Sequence, residues 1–163
     1  MPKPRARIYA LSINPHSHTL RTGRFSETGR IYLLTTATHQ RIALFLDFRI
    51  ARRVIQELRK TEALGRCRTL AYVLMPDHLH WLIELGDSDL SALICRFKAS
   101  AAAAVNRELA TPGTPRWQDG FHDHAIRRDE DLVALARYVV ANPLRAGIVS
   151  RVGDYPHWDA VWL

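Results

Sequence analysis

The sequence predicts a single α+β domain, on three observations. β-branched and aromatic runs recur at residues 30–37 (RIYLLTTA), 69–75 (TLAYVLM) and 78–85 (HLHWLIEL). Apolar residues at helical spacing fill 47–62 and 90–109. The two kinds of segment alternate with no internal repeat and no linker, as one layered domain requires.

Taken in order, residues 1–29 are basic and turn-prone. Lys3, Arg5, Arg7, Arg21 and Arg24 face one acid, Glu27, and Pro2, Pro4, Pro15, Gly23 and Gly29 punctuate the stretch. It reads as a basic arm ahead of a domain over 30–163. In 47–62, Phe48, Ile50, Ala51, Val54, Ile55 and Leu58 share one helical face, and Gly65 ends the helix. Pro76-Asp77 separates two runs that read as neighbouring antiparallel strands. The Ala-rich 90–109 is a long helix with Asp89 or Ser88 as its N-cap. TPGTP (111–115) is a loop, and 117–126 holds a short strand. Asp129, Glu130 and Asp131 suit the first turn of a helix that stops at Asn142-Pro143. Tyr155, Trp158 and Trp162 are expected to close the tail by apolar packing.

Composition excludes several classes. At 163 residues, 47% apolar and 24% charged, the chain is in the globular range and outside the disordered one. No apolar run approaches the roughly 20 residues of a membrane helix, and the N-terminus has no apolar core fit for a signal peptide. Cys67 and Cys95 are too few for a disulfide framework and lack metal-ligand spacing, so a reduced, cytoplasmic setting is expected. The net charge is +7, and 20 of the 23 cations are arginine, whose planar fork suits phosphates and stacks on bases. Charge alone leaves nucleic-acid binding and an Arg-rich background equally open.

Three constellations can carry chemistry. His78 and His80 are two apart in a strand, so both rings share a face and can chelate one divalent cation, or simply lie on the wet side of a sheet. Glu84 falls on that face too, as a further ligand or an ordinary exposed acid. His122-Asp123-His124 repeats the pattern in a more polar stretch, which fits phosphate contacts or a wet surface. Tyr138 and Asn142 are four apart on a helix and present a phenol and an amide together, with Arg137 and Arg145 beside them. The alternative there is a core tyrosine and a helix-end cap. Trp117 and Phe121 suit base stacking or core packing.

In this order, the pieces resemble the REP-associated tyrosine transposases, which are single-tyrosine HUH nucleases. The matching stretches are GRFSETGRIYLLTTATHQR (23–41), RTLAYVLMPDHLHWLIEL (68–85), WQDGFHDHAIR (117–127) and ARYVVANPLRAGIV (136–149). They run collinearly over most of the chain, and MPDHLHWL with RYVVANPLRAG is the most specific part. The resemblance implies a ferredoxin-like antiparallel sheet backed by helices. It implies that His78 and His80 hold Mg²⁺ or Mn²⁺, that Asn142 stands where relatives place a third, amide-type ligand, and that Tyr138 is the nucleophile. The implied partners are single-stranded DNA hairpins formed by repetitive extragenic palindromes, handled by a monomer or a homodimer. Arg24, Arg30, Arg127, Arg137, Arg145, His122 and His124 lie in the matching stretches and are the DNA-contact candidates.

The implied reaction is attack of a tyrosine on a phosphodiester, giving a 5′-phosphotyrosine and a free 3′-OH that can later reseal the strand. Two other readings compete. One is a hairpin-binding module that does not cut, and the other is a metal-dependent hydrolase in which His78, His80 and Glu84 activate water.

Overall fold

The computed structural model describes residues 26–162. In chain order these form strand β1 (Ile31–Ala37), helix α1 (Phe48–Ala63), strands β2 (Cys67–Met75) and β3 (His78–Leu85), and helix α2 (Leu90–Leu109). Strand β4 (His122–Ala125), helices α3 (Leu132–Val140) and α4 (Asn142–Arg145), and strand β5 (Trp158–Ala160) follow. The sheet order is β4-β1-β3-β2-β5, with every neighbouring pair antiparallel. Strands β1 and β2 each sit beside β3, and β4 returns to the free side of β1. That is the ferredoxin-like βαββαβ arrangement, with β5 added at the far edge.

Alternation along the strands divides the interior in two. Tyr32, Leu34, Leu74, Leu79, Trp81 and Ile83 point to one face, where they pack with Ile50, Val54, Ile55 and Leu58 of α1 and Leu93, Ile94, Phe97 and Ala101 of α2. Trp81 is fully buried there, 5.1 Å from the ring of Phe97, and its Nε1 donates to Thr69 Oγ1 at 3.1 Å. Leu33, Ala71, Val73 and Leu82 point to the other face, under Leu135, Ala136, Val139 and Val140 of α3. Since successive residues of a strand change sides, this division decides which face receives His78 and His80.

The helices begin where short acids cap them. Asp47 accepts from the amides of Arg49 and Ile50, Asp89 from Ala92, and Asp131 from Ala134. Gly65, with φ of 69°, takes the left-handed conformation that ends α1.

The Tyr138 helix stops at Val140, ahead of Asn142-Pro143 as expected, and Asn142-Pro143 then opens the separate turn α4, because proline is tolerated in a first helical turn, where its missing N–H has no partner to lose. In the tail, Tyr155 and Trp158 pack into the α3-side core as expected, whereas Trp162 does not, and the segment also adds a strand. Trp158–Ala160 pairs with Ala71–Val73 as an edge strand, Tyr155 is buried with its hydroxyl donating to the Leu74 carbonyl at 2.6 Å, and Trp162 remains 39% exposed.

Candidate active site

The site grows from strand β3. Leu79, Trp81 and Ile83 are drawn into the α1–α2 core, so His78 and His80 face α3. Their Nε2 atoms converge to 3.2 Å, with the rings edge to face. Each outer nitrogen has a partner. His78 Nδ1 meets Asp77 Oδ1 at 2.6 Å, and His80 Nδ1 meets Thr35 Oγ1 at 2.9 Å. Arg41 Nε lies 3.0 Å from Asp77 Oδ2, so Asp77 joins a cation to an imidazole.

Burial keeps the pair neutral. Desolvation pushes His80 down to about 3, helped by the nearby charges of His78, Arg145 and Arg41. Desolvation also lowers His78, against the opposing pull of Asp77. A neutral imidazole that carries its proton on Nδ1 leaves its Nε2 lone pair available to an ion.

Donor geometry and chemistry both fit a divalent cation. Two nitrogens about 2.1 Å from one ion and at a right angle to each other are about 3.0 Å apart, close to the separation here. Nitrogen donors match Mn²⁺ and later divalent ions better than Mg²⁺, which prefers oxygen. Among the described residues no group of three or more His, Cys, Asp or Glu could hold a metal, so the histidine pair stands without a third such ligand.

The remaining sequence candidates fall into clear positions. Tyr138 is half-buried on α3, the helix over the histidine face. Arg145, the last residue of α4, contacts it. The guanidinium carbon is 3.7 Å from the ring centroid, and Nη1 donates to the Tyr138 carbonyl at 2.7 Å. Asn142 Nδ2 donates to the Val139 carbonyl at 2.8 Å.

Cross-strand register sets His80, Thr35 and His122 in one row on one face. Two strand spacings place the His122 backbone about 10 Å from that of His80. His124 is next along β4 on that face and reaches Glu130 at 3.5 Å. Arg137 and Arg127 are exposed, and the Arg127 amide donates to Glu130 at 2.9 Å. Arg30 precedes β1 at the opposite end of the sheet from His78 and pairs with Glu27 at 3.3 Å. Arg24 lies outside the described residues.

Some alternatives are settled by position. Glu84 shares the histidine face, but four residues of strand put it about 13 Å from His80. It pairs with Arg68 at 3.6 Å. Trp117 and Phe121 belong to the α1–α2 core, with Trp117 stacked near Phe45 and Phe97, so neither ring is offered to a base. Cys67 sits opposite Leu85, at the end of β3 away from His78, and burial pushes its thiol up to about 12. Sequence reasoning missed Thr35, Arg41 and Asp77. Only Asp77 carried a local signal, as the acid directly before His78.

Comparison with known proteins bears on the family and the fold. Residues 28–142 match the family model for IS200-like transposases. A REP-associated tyrosine transposase of Escherichia coli (strain K12) is 32% identical over 88 residues, 53% of this chain and 50% of that protein. A relative from Haemophilus influenzae is 30% identical over 99 residues, 55% of this chain and 56% of its own. The chain thus spans about half the length of the curated relatives it matches. A solved structure of a REP-associated tyrosine transposase bound to a REP hairpin superposes with a TM-score of 0.67 at 23% identity, over 83% of this chain and 79% of that one. That likeness bears out the α+β fold of an antiparallel sheet backed by helices. Over 28–142, which includes β1 to β4, both histidines and Tyr138, this chain belongs to the IS200-like transposase family.

Proposed function

We propose that this protein cuts and rejoins single-stranded DNA beside a hairpin, with Tyr138 as nucleophile and with His78 and His80 holding Mn²⁺ or Mg²⁺. The observation that carries the reading is the convergence of the two Nε2 atoms, 3.2 Å apart, on the sheet face covered by the helix of Tyr138. Arg145 supports it, being stacked on Tyr138 and close enough to His80 to help depress that imidazole.

A phosphodiester resists attack because its anionic oxygens repel the nucleophile. The cation supplies charge neutralisation and Lewis-acid polarisation at the scissile phosphate. Tyr138 Oη forms the new P–O bond while the bond from phosphorus to the 3′ oxygen breaks. The phenol gives up its proton and the departing 3′ oxygen takes one up. The product is a 5′-phosphotyrosine, which keeps the diester's energy and lets a 3′-OH reverse the step. Arg145 holds the ring in one orientation through this exchange. Asn142 Oδ1 would serve as a third, amide-type ligand. Arg137, His122 and His124 take the DNA backbone on the histidine side, and Arg127, Arg24 and Arg30 are further phosphate-contact candidates. Hairpin DNA is the proposed substrate because a structural relative is bound to a REP hairpin.

The test incubates the protein with labelled hairpin DNA and Mn²⁺, then runs a denaturing gel. A slow covalent band is expected from wild type and none from Tyr138→Phe, with hairpin binding retained. Cleavage that survives in Tyr138→Phe favours the hydrolase, and wild-type binding without cleavage favours the non-cutting module.

A further inference from the structure

We propose that Asp77, clamped by Arg41, is a positioning residue that presents the Nε2 lone pair of His78 to the cation. This rests on the cation-binding reading of the histidine pair and adds two side chains that touch neither ion nor substrate.

The two histidines are braced by groups of different chemistry. Thr35 holds His80 through a hydroxyl, which both donates and accepts and therefore serves either tautomer. Asp77 holds His78 through a carboxylate, which only accepts. At 2.6 Å from Oδ1, Nδ1 must carry the proton, and Nε2 is left with its lone pair facing His80.

Asp77 is itself held through side chain and backbone. Its Oδ2 takes Arg41 Nε at 3.0 Å, and its carbonyl takes the Thr38 amide at 2.9 Å. The Phe45 amide donates to the neighbouring Pro76 carbonyl at 2.9 Å. The β2–β3 turn is thereby strapped to the segment after β1. Within that segment Gln40 and Arg41 adopt φ of 53° and 56°, a left-handed region that non-glycine residues rarely enter. The backbone spends two unfavourable residues where it delivers Arg41 to Asp77. A carboxylate is also the one side chain of this length that accepts from a guanidinium and an imidazole at once. An amide in its place offers a single acceptor oxygen.

The experiment uses the full chain labelled with ¹⁵N, with His78 ring signals assigned by their loss in His78→Ala. Wild type is expected to show the Nδ1–H tautomer at His78 and to bind Mn²⁺ by electron paramagnetic resonance titration. Asp77→Ala should release the tautomer preference and weaken Mn²⁺ binding about tenfold or more. Arg41→Ala should move both readouts the same way by less, and Glu84→Gln should move neither. If Asp77→Ala folds poorly, Asp77→Asn replaces it, with an effect between wild type and alanine. An unchanged His78 tautomer and unchanged Mn²⁺ affinity in a variant that melts like wild type overturn the proposal. A wild type that takes up no Mn²⁺ overturns the cation reading itself, an outcome distinct from failure at Asp77 alone.

Discussion

Arg145 covers the ring of Tyr138, with its guanidinium carbon 3.7 Å from the ring centroid, and grips the carbonyl of that same residue at 2.7 Å. The two residues belong to different helices, Tyr138 to α3 and Arg145 to α4, so the contacts span the interruption at Ala141.

Removing this contact should impair chemistry more than binding. A cation–π contact at a half-exposed site contributes about 0.5–1 kcal/mol, and losing it frees the Tyr138 ring to turn. Arg145→Ala is expected to slow covalent adduct formation about fivefold or more, with hairpin affinity falling less. Arg145→Lys keeps the charge and loses the planar stack, so its rate should lie between the two. Single-turnover gels at saturating DNA measure the rate, and an unchanged rate in Arg145→Ala removes the ring-orienting role.

Acid should destabilise the fold through the histidine pair. Burial holds His80 down at about 3, whereas an unfolded histidine titrates near 6.5. Below the unfolded value the folded state binds fewer protons than the unfolded one, so the stabilisation is complete above about pH 6.5 and declines as the pH falls. For His80 the decline from pH 8 to pH 5 is about 2 kcal/mol. His78 is lowered in the same sense by burial and adds to the slope. Urea midpoints at pH 8, 6.5 and 5 check this, and His80→Ala should flatten the profile.

The fold was legible in the sequence wherever one period governed a whole segment. The stripe Ile50, Val54, Ile55 and Leu58 and the alternation Leu79, Trp81 and Ile83 each point to a single core. Alternation also put His78 and His80 on one face, and the Tyr138 helix was readable from its apolar spacing. Register was not readable. Nothing local to Thr35 says that it will oppose His80 on one side and His122 on the other, since that follows from which strands become neighbours. Arg41 was hidden for a similar reason, because its left-handed backbone has no glycine to announce it. The edge strand at Trp158–Ala160 is three residues long, too short for a period to show.

Gly86 should tolerate no side chain. A Cβ there would sit 2.3 Å from the Gly65 carbonyl oxygen and 2.9 Å from the Arg66 carbonyl carbon, and these are backbone atoms that no rotamer change can move aside. The Gly86 amide already donates to the Arg66 carbonyl at 3.0 Å, which ties the end of β3 to the start of β2. Gly86→Ala is expected to cost about 1–3 kcal/mol, as overpacking does. Since the strain falls at the sheet end opposite His78, Mn²⁺ affinity at 15 °C should be unchanged. Chemical denaturation measures the first effect and a Mn²⁺ titration the second.

The two faces of the sheet should differ in their response to salt. DNA binding through phosphate contacts weakens with salt in proportion to the number of cations engaged, and each lost contact reduces the slope of log K against log salt by about 0.7 to 0.9. Arg137 is exposed on α3, on the histidine side. Arg53 belongs to α1 on the opposite side, where its Nε pairs with Glu108 at 2.9 Å. Arg137→Ala is therefore expected to lower the slope by about 0.7 to 0.9 and to weaken binding evenly across hairpin sequences. Arg53→Ala should leave the slope unchanged. Fluorescence anisotropy of a labelled hairpin between 50 and about 200 mM salt separates the two. A drop in slope for Arg53→Ala and none for Arg137→Ala would place the DNA on the α1–α2 face, away from Tyr138 and the histidine pair.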